Sequence, residues 1–280
     1  MSCITSRLLQ SVAHPIPCIC FAICILLVGF NCTAEEEKPA NYPWITTLDS
    51  GDWKDKLWGD REVRKNGNRL MKLGKGLHLL DHDITPTNEV LIAIHGFAAR
   101  GFEWVYPLQV MDNESVDTYF FRWGWGRRTE LAESLFLSEL SELREQRGEE
   151  FTNVQIVAHS CGGVVAISVV ENLPKELEFD IHIVASPLGG LGAFTVCDPD
   201  LPKELPPNVS ITQWKTVQYL DSVFLYFPGD PQETGLDFIT EIDLPELYRG
   251  KRLGHVRSLS WVADKVAEPD SVNESAPDSG

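Results

Sequence analysis

The chain has 280 residues, of which 43% are hydrophobic and 10% aromatic, a globular composition that excludes a disordered or fibrous polymer. Its 41 acidic residues outweigh 24 basic ones, and a formal charge of -17 repels a phosphate backbone. With no basic stripe or zinc-finger spacing, nucleic acid is excluded as a partner.

Residues 1–34 stand apart from the fold. Arg7 precedes an apolar stretch from Ile16 to Phe30, and "CTA" ending at Ala34 supplies the small residues of a cleavage site, so this segment reads as a signal peptide. The stretch falls short of the roughly 20 residues that span a bilayer. An uncleaved anchor, giving membrane association through the N-terminus, and lipid attachment at Cys32 are the alternatives. The expected location is secreted or cell envelope. Five of the seven cysteines lie in this leader. Only Cys161 and Cys197 remain behind it, so the fold is not expected to depend on a disulfide framework. Residues 35–60 form an N-terminal extension opening on "AEEEKPAN", and 268–280 a polar tail, both solvated ends.

Residues 61–267, with the leader and tail set aside, fit one domain of 100–250 residues. "NRLMKLGKGLHLLD" reads as one or two antiparallel edge strands. "EVLIAIHGF" (89–97), "DTYFFRWGW" (117–125), "TNVQIVAHS" (152–160), "FDIHIVASP" (179–187) and "VSITQWKTV" (209–217) are β-branched or aromatic runs bounded by Gly, Pro, Asn or Asp, and read as strands. Helices fall between or after them. "RTELAESLFLSELSELREQRG" spaces Leu131, Leu135, Leu140 and Leu143 near a 3.6 period and stops at Gly148, and "CGGVVAISVVENL" stops before Pro174. Strands apolar on both faces and joined by helices predict an α/β fold with a mostly parallel sheet covered on both sides.

"HLLDHD" collects His78, Asp81, His82 and Asp83, a metal-ligand set only if helical; its place before a strand predicts a polar edge turn instead, and no metal is expected. "FEWVYP" and "FRWGWGRR" place aromatics near strand ends, where they could line an apolar cleft, though such residues more often pack the core or the rim.

The chemistry concentrates in "VAHSCGGVVA". A serine between a buried strand and a helix sits on a sharp turn, with small residues Ala158 and Gly162 two positions either side. Such a Ser160 is a nucleophile, and the first helical amide, that of Cys161, aims at an oxyanion formed on its substrate. Only that amide, not the thiol, is assigned a task. A Rossmann phosphate loop is disfavoured, because "HSCGG" lacks three spaced glycines and no acidic residue follows at ribose spacing. After "IAIHGF", the amide of Phe97 or Ala98 offers a second oxyanion donor. His255, just after a glycine and before "VRSLSWVADKV", is the best-placed base by position and chain order.

"IAIHGF", "IVAHSCGG", "IVASPLGG" and "LGHVRSLSWVADKV", in that order, resemble the α/β-hydrolase superfamily on its lipase and esterase side. The family implies an α/β-hydrolase fold with a small lid, no cofactor, and a Ser, acid, His order with the acid after the strand that follows "IVASP". Asp221 in "QYLDSVF" is taken as that acid, with Asp230 and Asp237 further along. Ala158 departs from the usual glycine. The stretch of about 20 residues between "IVASP" and "VSITQW" fits a lid, and its Leu188, Leu191, Phe194 and Val196 are expected to face an apolar group of the substrate. The implied activity is cleavage of a small-molecule or lipid ester, with no obligate protein partner. A non-catalytic binding protein on the same scaffold, or a peptidase, thioesterase or amidase, stays open.

Overall fold

The computed structural model describes residues 61–80, 87–113, 115–125, 129–191 and 197–267. The leader, the extension, Asp81 to Asp83, the lid residues Phe194 and Val196, and the tail lie outside the described residues.

Seven strands form one sheet in the order β1-β3-β2-β4-β5-β6-β7. They are β1 (Gly76–Leu79), β2 (Glu89–Ile94), β3 (Asp117–Arg122), β4 (Asn153–His159), β5 (Glu178–Val184), β6 (Val209–Lys215) and β7 (Thr240–Asp243). Edge strand β1 runs antiparallel to β3, and every other pairing is parallel. In β2, Val90, Ile92 and Ile94 feed one core, while Leu91 and Ala93 feed the other. This double burial explains why the central strands are apolar at nearly every position.

The first core packs Phe136 and Leu140 of α3 (Glu130–Arg147) and Val164 and Val165 of α4 (Cys161–Ser168) against the sheet. The opposite core holds Leu70 of α1 (Arg61–Lys72), Trp104 and Leu108 of α2 (Phe102–Met111), and Leu259 and Val262 of α5 (Arg257–Ala267). A hairpin of β8 (Leu247–Tyr248) and β9 (Lys251–Arg252) precedes α5. Among the described residues, no helix is long and apolar enough to cross a membrane.

The segment expected to give one or two antiparallel edge strands gives one, Gly76–Leu79, and its start belongs instead to α1, which buries Val63, Asn66 and Leu70 at spacings of three and four. "FEWVYP" is helical: its Trp104, Val105 and Tyr106 pack the core, as such aromatics more often do, while Phe102 and Glu103 at its start line the cavity described below. Pro107 inside α2 concealed the helix, because an interior proline reads as a helix breaker.

Candidate active site

β4 ends at His159, and α4 begins at Cys161. Ser160 between them has φ 56° and ψ -129°, a backbone state costing a non-glycine residue on the order of 1–3 kcal/mol. The turn is held by its neighbours: the Ser160 amide donates to Val184 O (2.9 Å), and Ser160 O accepts from the Gly163 amide (2.9 Å). A side chain on Gly162 would sit 2.4 Å from Ile94 O, so only glycine lets α4 approach β2. A Cβ on Gly96 would meet Ser160 Cβ at 2.8 Å and its Oγ at 3.4 Å, which places the turn after β2 directly against the serine.

That turn is braced by His95, which is fully buried. Its Nδ1–H donates to Gly96 O (2.8 Å), leaving Nε2 to accept from the Trp123 amide (3.2 Å) and the Arg122 guanidinium (3.2 Å). Burial, with Arg122 close by, lowers its pKa from 6.5 to about 3, so the ring is neutral. Beyond it, Phe97 and Ala98 are exposed, Ala98 at φ 52°, and Trp125 packs edge-on to Phe97 at 5.1 Å.

Asp221 lies after β6, directly following a single 3₁₀ turn (Gln218–Leu220), and is fully buried. His255 Nδ1–H donates to its Oδ2 (3.0 Å), the Thr216 hydroxyl donates to the same oxygen (2.7 Å), and the amides of Val223 (2.8 Å) and Phe224 (3.2 Å) donate to Oδ1. Burial alone would raise this carboxyl's pKa, but the hydrogen bonds and His255 outweigh it and hold it below the usual range. Asp230 stands elsewhere, accepting from the amide (3.0 Å) and side chain of Gln232. Gln232 in turn brackets Thr216, accepting from its amide (2.9 Å) and donating to its carbonyl (2.8 Å).

Ser160, His255, Cys161, Phe97 and Ala98 all line one cavity of about 790 Å³, whose remaining wall includes Phe102, Leu191, Phe224 and Phe227. Leu188, expected to face substrate, is instead fully buried in the core under α4, since the turn at Ser186 and Pro187 directs it inward. Leu191 does reach the cavity. The Cys161 side chain has a structural task that the sequence reading withheld from it, for it forms a disulfide with Cys197, another residue of the cavity wall. His78 Nε2–H donates to Gly74 O (3.1 Å), and among the described residues no group of three or more His, Cys, Asp or Glu could hold a metal ion.

Residues missed from sequence are Thr216 and Gln232, His159, and Glu103, a cavity carboxyl pushed up by burial. Their signal is tertiary, except that His159 adjoins the serine.

No protein-family model matches the chain, and no curated protein matches it. Solved structures similar to it include a mature lipase of Bacillus licheniformis (14% identity, 70% of this chain and 97% of that one, TM-score 0.47). Est1E of Butyrivibrio proteoclasticus is similar at 14% identity, over 70% of this chain and 98% of that one, with a TM-score of 0.47. A carboxylesterase of Bacillus cereus follows at 16%, 68%, 94% and 0.42 in the same order. The sheet order, the strand–serine–helix turn, and the loop positions of Asp221 and His255 give this chain the α/β-hydrolase fold.

Proposed function

We propose that the protein is a serine hydrolase cleaving carboxylic esters through a covalent acyl-enzyme. The observation that carries this reading is the buried Asp221–His255 pair, whose imidazole opens on the same cavity as the left-handed Ser160. His255 Nε2 takes the Ser160 hydroxyl proton while Oγ attacks the ester carbonyl. The amides of Cys161 and of Phe97 or Ala98 stabilise the resulting oxyanion. On collapse of the tetrahedral adduct, the C–O bond to the alcohol breaks, and His255 returns the proton to the departing alkoxide. Water, deprotonated by His255, then attacks the acyl-serine and releases the acid. Asp221 accepts the Nδ1–H throughout, fixing the tautomer and stabilising the imidazolium.

Phe102, Leu191, Phe224 and Phe227 favour an apolar acyl group, and about 790 Å³ is within the range of small-molecule sites. Export through residues 1–34 is supported by the Cys161–Cys197 disulfide, a bond that persists in oxidising compartments. A fluorophosphonate probe tests the mechanism: it labels the wild type, and labelling disappears in Ser160→Ala. Failure to label well-folded protein replaces this reading with a non-catalytic scaffold. Turnover of short polar esters above medium-chain ones removes the apolar acyl assignment.

A further inference from the structure

We propose that His159 is a positioning residue for His255: its Nε2–H holds the main chain of the base at a fixed place relative to the nucleophile. The inference rests on the hydrolase reading above and extends it to a residue outside the triad.

His159 closes β4, one residue before Ser160. Strand alternation turns its side chain away from the face that Ala158 packs and toward α5, so it reaches the loop from which α5 starts. There its Nε2 lies 2.8 Å from His255 O, a carbonyl that can only accept, so His159 is the donor and its ring is the Nε2-protonated tautomer. The Ser258 hydroxyl donates to the same oxygen (2.7 Å). His255 is thereby held at four points: two donors on its carbonyl, Asp221 on Nδ1, and Phe224 edge-on to its ring at 5.1 Å. Three of these fasten the base to its own side of the cavity. Only His159 joins it directly to the strand that carries the nucleophile.

The two rings lie 4.8 Å apart, so a charge on His159 would oppose the imidazolium that forms on His255 during turnover. Burial, together with His255, keeps His159 neutral by lowering its pKa to about 3, which preserves the donor and avoids that repulsion. His255, Asp221 and His95 are the titratable groups that act on it.

The test compares His159→Leu, which removes the donor, with His159→Gln, whose amide N–H reaches as far from the backbone. Misplacement of a reacting group by about 1 Å costs up to about 10²-fold, so His159→Leu is expected to lower kcat roughly 10- to 100-fold with KM little changed. His159→Gln should restore most of it. A folded His159→Leu with wild-type kcat overturns the proposal, as does a Gln variant no better than Leu. Should His159→Leu not fold, ¹⁵N-histidine NMR of the wild type decides: a neutral, Nε2-protonated ring absent from the His159→Gln spectrum supports the proposal, and an Nδ1-protonated or cationic ring overturns it. A wild type inert to both esters and fluorophosphonate defeats the hydrolase reading itself, whereas an active wild type with the unfavourable His159 results defeats only this inference.

Discussion

The two edges of the sheet each carry a cavity, and they are built differently. At the carboxyl edge, about 790 Å³ is walled by apolar side chains and crossed by buried ionisable groups, and Ala98, Ser160 and Ala185 there hold left-handed backbones. At the amino edge, about 510 Å³ is lined by polar side chains such as Gln155, Asp180 and Ser210, and none of its residues is among the described left-handed non-glycines. Hollow volume alone does not distinguish them. Backbone strain and the buried ionisable side chains of the wall, Glu103, His159 and His255, do, because each costs stability and persists only where the surroundings enforce it. The comparison breaks if chemistry can be disabled from the amino edge, or left intact when the carboxyl edge is altered.

The largest expected effect is Ser160→Ala, which should lower kcat for an activated ester by about 10⁶-fold without unfolding the protein. Asp221→Asn follows, with a loss of up to about 10⁴-fold, because the amide leaves His255 in the wrong tautomer. Asp230→Asn, measured on the same ester, should be nearly silent, since Asp230 touches Gln232 rather than His255. Near-wild-type turnover in Asp221→Asn would remove Asp221 from the relay.

Breaking the disulfide separates stability from chemistry at the carboxyl edge. Cys161 and Cys197 lie 36 residues apart, and chain entropy for a loop of that size corresponds to about 3–4 kcal/mol. Cys161→Ala, Cys197→Ala and the double variant should lose the same amount in denaturant titrations, since all three remove one bond. The folded variants should keep most of their turnover, because the Cys161 amide remains. Unequal losses, or a collapse of turnover in folded Cys161→Ala, would show that the thiol side chains act separately.

The elbow could be read from sequence because its cause is local: an apolar run, small residues around Ser160 and a helix start are all adjacent. His255 and Asp221 needed chain order as well, since nothing within their own loops says that 34 residues of separation close to 3.0 Å. The bond from His159 to His255 spans 96 residues and leaves no pattern in either segment. Leu188 misled because an apolar residue after Pro187 looks the same whether it seals a lid or a core. The charge of α1 masks it: Val63 and Leu70 are buried in a helix otherwise rich in Arg and Lys, and its Leu70 and Met71 run on in sequence toward the leucines of β1.

The carboxyl edge should also set the acid limit of stability. His95 and His159 each fall from a pKa of 6.5 to about 3 on burial, so the unfolded chain binds more protons between those values. Their contribution is fully present above about pH 6.5 and is lost as the pH falls toward 3, with a slope of about 1.4 kcal/mol per pH unit for each ring. Asp221 acts in the same direction lower down: its depressed pKa stabilises the fold above its ordinary value, and that contribution disappears as the pH drops through the folded value. His159→Gln carries no titrating ring, so unfolding free energies measured across this range should lose about half of the histidine slope. An unchanged slope would mean that His159 is protonated in the folded protein.

The smallest expected kinetic effect lies at the amino edge. Asn208 is buried there, and its Nδ2 donates to Leu177 O (2.7 Å) and Pro174 O (3.1 Å), fastening the start of β6 to the turn before β5. Truncation in Asn208→Ala leaves those carbonyls without their partner and should cost about 1–3 kcal/mol of stability. Yet β6 reaches Thr216 and Asp221 only at its other end, and the strand between is clamped by parallel pairing to β5 along six registered residues. A loosened start should therefore not move the acid, and kcat and KM at a temperature where the variant stays folded should match the wild type. If turnover fell while the fold held, displacement at the amino edge would be travelling the length of β6 to Asp221, and the two edges would have to be treated as one mechanical unit.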